Sequence, residues 1–194
     1  MGIIKSASRS SAWRGLDYYK NKKVVNYKKI NENEYEGEVL GNGNKKYKIL
    51  LNIEHPRSSK CNCPHASSKK IVRKHMVALY FMIFPKEAKK FEDDAEKAMK
   101  YLIGHTFGGF NVESIKVIGA GLDSVAYLVN DEYIFKKSKH KEAAENMKKE
   151  IFVLRYLEGK LPLEIPRIEF YDADVNICGY KEIKGTILTS AMYS

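Results

Sequence analysis

Hydrophobic and polar positions alternate along three short segments in the first part of the chain. Valine, isoleucine, leucine and tyrosine occupy the alternating positions, and turns rich in asparagine and glycine separate the segments. This pattern predicts three β-strands, at residues 23–28, 34–40 and 46–53. Residues 1–21 are rich in serine and end in aromatic side chains, so we expect a polar lead-in that is anchored at its end.

Helical periodicity follows the predicted strands. Residues that suit a buried face recur every three or four positions, at Ile71, His75, Ala78, Leu79 and Met82. This spacing predicts a helix that begins near Lys69 or Lys70 and is ended by Pro85. A second helix is predicted over residues 86–102, so residues 1–104 form the first predicted domain and residues 105–110 a linker.

The pattern changes again from residue 112. Strands are predicted at five places, namely residues 112–118, 125–130, 133–137, 168–171 and 177–183. One helix is predicted between the third and the fourth of them, at residues 141–157. Runs of strands that do not alternate regularly with helices indicate an α+β fold. We therefore expect a small hairpin-and-helix domain, followed in residues 111–194 by a five-stranded antiparallel sheet with one helix.

The net charge of +10 is concentrated in the first domain. Residues 1–104 hold 22 Lys and Arg against 11 Asp and Glu, which gives +11, and residues 105–194 hold 12 against 13, which gives −1. A basic domain favours an acidic partner such as nucleic acid, although a lysine-rich solvated surface has the same charge.

Two classes of protein are not expected from this sequence. No apolar run approaches the length of about 18 residues that a membrane helix needs, and the first residues do not form a signal peptide. The chain has 3 cysteines, of which Cys61 and Cys63 are too close for an ordinary disulfide framework. We therefore expect a protein of the reducing cytoplasm, with no membrane partner.

The pair Cys61 and Cys63 precedes the predicted helix that carries His75. Two thiolates on one turn and an imidazole from a following helix suit a tetrahedral zinc ion. Together with Arg14-Gly-Leu-Asp-Tyr-Tyr19 and the three strands, this stretch resembles the SWIM-type zinc finger over about residues 8–83. The resemblance implies that Cys61, Cys63 and His75 are zinc ligands, and that the domain binds nucleic acid or protein.

The chain departs from the SWIM pattern at its third cysteine, where it has Arg73. An arginine stays protonated and cannot bind zinc. Three alternatives remain: His65 is the fourth ligand, water completes a site with three protein ligands, or the domain folds without metal by packing alone. For contacts with nucleic-acid phosphates the candidates are the basic residues around the predicted helix start, which are Lys69, Lys70, Arg73 and Lys74.

A second group of candidate residues lies in the rear half. Gly119-Ala-Gly121-Leu-Asp-Ser124 falls between two predicted strands, and such a turn lets backbone N–H groups approach phosphates. Lys136 ends an apolar strand, and Glu150 follows on the helix, where it can hold the lysine by an ion pair. Lys137 is the competing lysine, but neighbours on a strand point to opposite faces, so we choose Lys136.

The run Gly121–Lys136, with Lys149-Glu150-Ile151 and Cys178–Gly185, resembles the opening of the aminoglycoside phosphotransferase family. The resemblance covers about residues 111–189 and is closest to the 2''-phosphotransferase branch. It implies that Lys136 holds the α- and β-phosphates of ATP and that Glu150 orients it. It further implies a glycine loop and an adenine-binding hinge, with the residues Gly119, Gly121, Ser124, Glu182 and Ile183.

The same resemblance places the family's catalytic aspartate and magnesium ligands after the hinge. No aspartate follows Asp174 and no histidine follows His140. We therefore expect no catalytic residue in this chain and weak ATP binding at most. ATP and magnesium are expected as cofactors only of a full-length relative. The alternative function is that of a fragment of an active kinase that transfers the γ-phosphate of ATP to a hydroxyl group.

Overall fold

A computed structural model describes residues 2–41, 43, 45–64, 66 and 71–185 of the chain. The structure is mixed α+β and divides into two compact units. The boundary falls between Met99 and Lys100, and the segment Gly119–Asp123 is counted with the first unit. Among the described residues, none of the helices is both long enough and apolar enough to cross a membrane.

The first unit contains a four-stranded sheet in the order β1-β2-β3-β4 and the helices around it. Its elements, of which the last continues past the boundary, are α1 (Ile3–Ser6), α2 (Arg9–Lys20), β1 (Val24–Lys29), β2 (Glu34–Leu40), β3 (Lys46–Asn52), β4 (Lys60–Cys61), α3 (Lys74–Ile83) and α4 (Pro85–Thr106). The three neighbouring pairs of strands are antiparallel. β2 turns Tyr35 and Val39 inward because side chains on a strand alternate between its faces.

The prediction of a polar lead-in at residues 1–21 is wrong, because most of this segment is helical. The Ser8 hydroxyl accepts a hydrogen bond from the Ser11 N–H at 3.1 Å and caps α2. Trp13 and Leu16 are buried three residues apart on one face of this helix. An added Cβ at Gly15 would lie 2.4 Å from the Val77 Cβ, so α2 and α3 approach each other closely at this glycine.

Two predicted helix boundaries also differ from the structure. α3 begins at Lys74, because Arg73 has an extended backbone with φ −117° and ψ 169°. The predicted start at Lys69 or Lys70 lies outside the described residues. α4 continues to Thr106, so the first two residues of the predicted linker at 105–110 are helical.

The second unit contains a five-stranded sheet in the order β5-β6-β7-β9-β8. Its elements, of which the first ends with two residues that are counted with the first unit, are β5 (Ile115–Ala120), β6 (Ser124–Val129), β7 (Tyr133–Ser138), α5 (Lys141–Leu157), β8 (Ile168–Asp172) and β9 (Ile177–Lys181). β6 pairs antiparallel with β7, as β7 does with β9 and β9 with β8. α5 has the predicted bounds, and its buried residues Met147 and Ile151 pack against Cys178.

Four phenylalanine rings fill the interior of the second unit. Their contacting pairs have ring centroids 4.9 to 6.0 Å apart, and the residues are Phe107, Phe110, Phe135 and Phe170. Phe135 is fully buried and lies opposite Gly179 in the pairing of β7 with β9. An added Cβ at Gly179 would lie 2.6 Å from the Phe135 ring, so only glycine leaves room for this ring. The cluster therefore fixes β7, the strand that carries Lys136.

Candidate functional site

Cys61, Cys63 and His75 meet in the first unit. Their potential ligand atoms all lie within 4.8 Å of one another, and the Cys61 Sγ lies 3.7 Å from the His75 Nδ1. β4 positions Cys61 by pairing it with Ile49, and His75 is the second residue of α3. All three side chains are buried, and the Tyr47 ring stacks on the His75 ring at a centroid distance of 4.8 Å.

Two thiols and an imidazole are ligands that zinc prefers, and the separation between Cys61 and His75 also suits it. Zn–S and Zn–N bonds of about 2.3 and 2.0 Å at tetrahedral angles separate neighbouring ligand atoms by about 3.5 to 3.8 Å. The 3.7 Å between the Cys61 Sγ and the His75 Nδ1 lies in that interval. Burial raises the pKa of the Cys61 thiol to about 12, so without a cation the thiol stays neutral. A metal ion would supply the positive charge that a buried thiolate requires.

The described part of the cluster offers three potential ligands. Arg73 occupies the position of the missing cysteine and is the residue immediately before α3. His65, the predicted fourth ligand, lies outside the described residues, as do Lys69 and Lys70. Arg73 and Lys74 are half-exposed. The Lys74 Nζ lies 4.6 Å from the centre of the Tyr18 ring.

In the second unit the structure brings Lys136 and Glu150 together. The Lys136 Nζ donates to both carboxylate oxygens of Glu150, at 2.6 and 2.8 Å. β7 and α5 carry the two residues, so the ion pair connects the sheet to the helix. The side chain of Lys136 is 20% exposed and that of Glu150 is 47% exposed. Lys137 instead donates to the carbonyl oxygen of Val175, as expected for the opposite face of the strand.

The predicted glycine turn connects neighbouring strands of the sheet. Gly119 lies within β5, Gly121 follows β5, and Ser124 is the first residue of β6. Neither glycine has a positive φ, and an added Cβ at either would have no atom within 4 Å. The turn thus does not need glycine for its own conformation, and both glycines are exposed. Open space at these positions is what a closely approaching ligand requires.

Glu182 and Ile183 follow the end of β9 and are half-buried. The Glu182 N–H donates to the carbonyl oxygen of Glu132 at 2.7 Å. The Glu182 N–H is therefore not available for a nucleotide base, whereas its carbonyl accepts no backbone hydrogen bond from the described residues. Of the two predicted hinge residues, only Ile183 can thus offer its N–H to a base.

The sequence does not predict that three further residues lie near these sites. Arg14 and Tyr47 lie with Cys63 and His75 around one cavity, although they come from α2 and β3. Cys178 lies opposite Lys136 in the pairing of β7 with β9. Their proximity results from the tertiary packing of separate elements, which spacing along the chain does not show.

Cys178 gives the second unit a pH-dependent stability. Burial is the main cause that raises the pKa of its thiol from 9.0 to about 11. Because the folded state favours the neutral thiol, this contribution is complete below pH 9.0 and is lost as the pH rises to about 11. We expect Cys178→Ala to reduce the loss of stability over this interval by about 2–3 kcal/mol. Urea unfolding at a series of pH values measures it, and equal slopes for both proteins would contradict it.

No protein-family model matches the chain. Solved structures of aminoglycoside phosphotransferases, the group that residues 111–189 resemble, match part of it. One is the GDP and kanamycin complex of APH(2'')-IIIa, which is 29% identical with a TM-score of 0.44. The matched region covers 47% of this chain and 32% of the chain in that structure. The GDP complex of wild-type aminoglycoside 2'-phosphotransferase-IIIa is 27% identical with the same coverage and TM-score. ADP-bound aminoglycoside phosphotransferase APH(2'')-Ib is 26% identical over 48% of this chain and 31% of its own, with a TM-score of 0.43.

This chain spans about a third of the length of those proteins. TM-scores of 0.43 and 0.44 do not by themselves establish a shared fold.

Proposed function

We propose that the second unit is the phosphate-binding half of a kinase-like nucleotide site, part of an ATP-using phosphotransferase. The observation that carries this proposal is the ion pair in which the Lys136 Nζ donates to both oxygens of Glu150. In kinases a strand lysine held by a helix glutamate neutralises the phosphates of the nucleotide. A lysine ammonium has three N–H donors, of which Glu150 uses two, so one is left for a phosphate oxygen.

The other proposed contacts come from the backbone. Gly119 and Gly121 would let N–H groups approach the phosphates, with Ser124 at the end of the turn. The Glu182 carbonyl and the Ile183 N–H would bind the base. Bound ATP with magnesium would supply the transferable phosphoryl group. We propose no catalytic base among the described residues, so binding rather than turnover is the property to test.

For a complete enzyme we propose a hydroxyl compound as phosphoryl acceptor. The resemblance of residues 111–189 makes an aminoglycoside the first candidate. Transfer of the γ-phosphate needs a base and metal ligands in addition to the lysine. The acceptor is therefore tested on a related protein that contains the base and the metal ligands, and nucleotide binding is tested on this chain.

Lys136→Met is expected to weaken nucleotide binding by about tenfold or more, because a hydrogen bond to a charged group contributes about 1.5–3 kcal/mol. Glu150→Gln is expected to weaken it less, since the lysine keeps its charge but loses its fixed position. Titration calorimetry with ATP and with GTP, each with magnesium, measures both effects.

Lys148→Met is the matched control for this experiment. Lys148 lies on α5 and forms an exposed ion pair with Glu145 at 2.9 Å, so its removal changes the net charge equally. Gly121→Ala tests the turn, because the added Cβ meets no atom within 4 Å and should leave the fold intact while it obstructs phosphates. Equal weakening by Lys136→Met and Lys148→Met would refute a specific role for Lys136.

We propose, as a second function, that the first unit is a zinc-binding module similar to a SWIM-type finger. The convergence of Cys61, Cys63 and His75 in a buried cluster favours it. Zinc would connect β4 to α3 and contribute directly to folding. The charge of +11 on residues 1–104, from 22 basic and 11 acidic side chains, makes nucleic acid the first partner to test and protein the second.

A further inference from the structure

A cavity of about 360 Å³ opens beside the cysteine and histidine cluster. Its walls are formed by Ser11, Arg14, Tyr47, Cys63, Pro64, Arg73, Lys74 and His75. Three of these side chains are cations, and none of the described lining residues is a carboxylate. All of them belong to the first unit, so the cavity is built within one compact unit.

The three cations of this cavity are not neutralised by the protein. Within the part of the chain that the structure describes, Arg14, Arg73 and Lys74 form no ion pair with a carboxylate. The Arg73 Nε is buried and has no hydrogen-bond partner among the described residues. A buried donor on a charged group is costly to leave without an acceptor, so this atom indicates a ligand with acceptor oxygens.

The start of α3 adds positive potential to the same place. Arg73 is the N-cap residue of this ten-residue helix, and its side chain makes no capping hydrogen bond. The first N–H groups of a helix point out of its N-terminus and give that end a partial positive charge. The helix start, two guanidinium groups and one ammonium group therefore favour the same kind of ligand, an oxyanion.

We propose that this cavity binds a phosphate group, either inorganic phosphate or a phosphate monoester. Arg14 and Arg73 would donate to its oxygens in the forked geometry that guanidinium groups offer, and Lys74 would add charge. The Ser11 hydroxyl would donate a further hydrogen bond. A concave site with three cations favours a dianion over the single charge of a phosphodiester. Arg73 thus binds an anion at the position where the SWIM-type pattern has a metal-binding cysteine.

Titration calorimetry of the full chain with inorganic phosphate, at constant ionic strength, tests this proposal. We expect saturable binding, weakened by about tenfold or more in Arg73→Ala and in Arg14→Ala. Arg57→Ala is the matched control, because Arg57 is an exposed arginine of the same unit outside the cavity. Circular dichroism verifies that each variant folds. Absence of saturable binding, or equal weakening in Arg57→Ala, would overturn the proposal.

Arg73→Cys provides a second, independent test. It removes the guanidinium and introduces a thiol, so phosphate binding should weaken as much as in Arg73→Ala while zinc affinity, measured against a chelator, should rise. Phosphate binding that persists in Arg73→Cys would overturn the role of Arg73. The titration is carried out on zinc-free and on zinc-loaded protein. Phosphate binding to the zinc-free protein supports the phosphate site, whether or not the chain also binds zinc.

A competition experiment identifies the source of the phosphate. We expect phosphate monoesters to displace inorganic phosphate, and a single-stranded oligonucleotide without terminal phosphates to leave it bound. If this oligonucleotide displaced inorganic phosphate, and if its binding were lost in Arg73→Ala, the ligand would be a nucleic-acid backbone and the proposal of a phosphate monoester would be wrong.

Discussion

Zinc is expected to raise the free energy of unfolding of the first unit by several kcal/mol, and Cys63→Ser is expected to abolish this gain. Structural zinc contributes its binding free energy to folding, because the unfolded chain has no preformed site. The gain is large here because the ligand set is buried: Cys61, Cys63 and His75 expose 4%, 3% and 4% of their surface.

The chain contains its own reporter for this experiment. Trp13 is the only tryptophan, and it is buried in the first unit with its ring 4.8 Å from that of Phe91. Denaturant unfolding followed by tryptophan fluorescence therefore reports on this unit. It is measured with zinc, with a chelator and in Cys63→Ser, and elemental analysis determines the zinc content of each sample.

Cys178→Ser is the control for general effects of cysteine removal, because Cys178 lies in the second unit. We expect it to leave both the zinc content and the zinc-dependent stabilisation unchanged. His65→Ala separates the alternatives for the fourth ligand: loss of zinc assigns the position to His65, and retention leaves it to water or another ligand. A zinc content near zero in the wild-type chain would show that the first unit folds without metal, and full zinc-dependent stabilisation in Cys63→Ser would show that Cys63 is not a ligand.

Local patterns predicted the regular elements well. β2 has the predicted bounds of residues 34–40, and α5 has the predicted bounds of residues 141–157. Alternation and helical spacing are properties of a few consecutive residues, so the chain shows them directly. β4, in contrast, has only two residues and exists because Cys61 pairs with Ile49 of β3. A strand this short has no period to detect.

α2 was missed for a different reason. Its small polar residues, such as Ser10 and Ser11, suggest a loop, and its apolar face is formed by Ala12, Trp13 and Leu16. The serine cap and this spacing are helix signals, but a serine-rich composition is equally typical of an irregular polar segment. Burial against α3, which Gly15 permits, is what stabilises the helix.

The two candidate sites differ in how far the sequence revealed them. Lys136 and Glu150 occur in a fixed order on a strand and the next helix, so their pairing followed from that order. The surroundings of His75 come from three separate elements, with Arg14 on α2 and Tyr47 on β3. Spacing predicted that Cys61, Cys63 and His75 could meet, and they do form a cluster. It did not predict that Arg14 lies beside Arg73 and Lys74, because only tertiary packing brings α2 to the start of α3.

Phe135→Ala is expected to cost the second unit about 3–5 kcal/mol of stability, as is typical when a buried phenylalanine is truncated. Phe135 is fully buried, and its ring contacts those of Phe107, Phe110 and Phe170. Gly179, which lies opposite in the sheet, has no side chain with which to fill the space. Since Phe135 precedes Lys136 on β7, loss of its anchoring should also weaken nucleotide binding.

Hydrogen exchange measured by mass spectrometry locates this effect, and urea unfolding gives its size. We expect faster exchange in β6, β7 and β9, which are neighbours in the sheet. Phe152→Ala is the matched control, because Phe152 is 74% exposed on α5 and its truncation should change stability by only about 0.5 kcal/mol. If both variants lost the same stability, the ring cluster would not be what holds β7, and the position of Lys136 would depend on the Glu150 ion pair and the strand pairing instead.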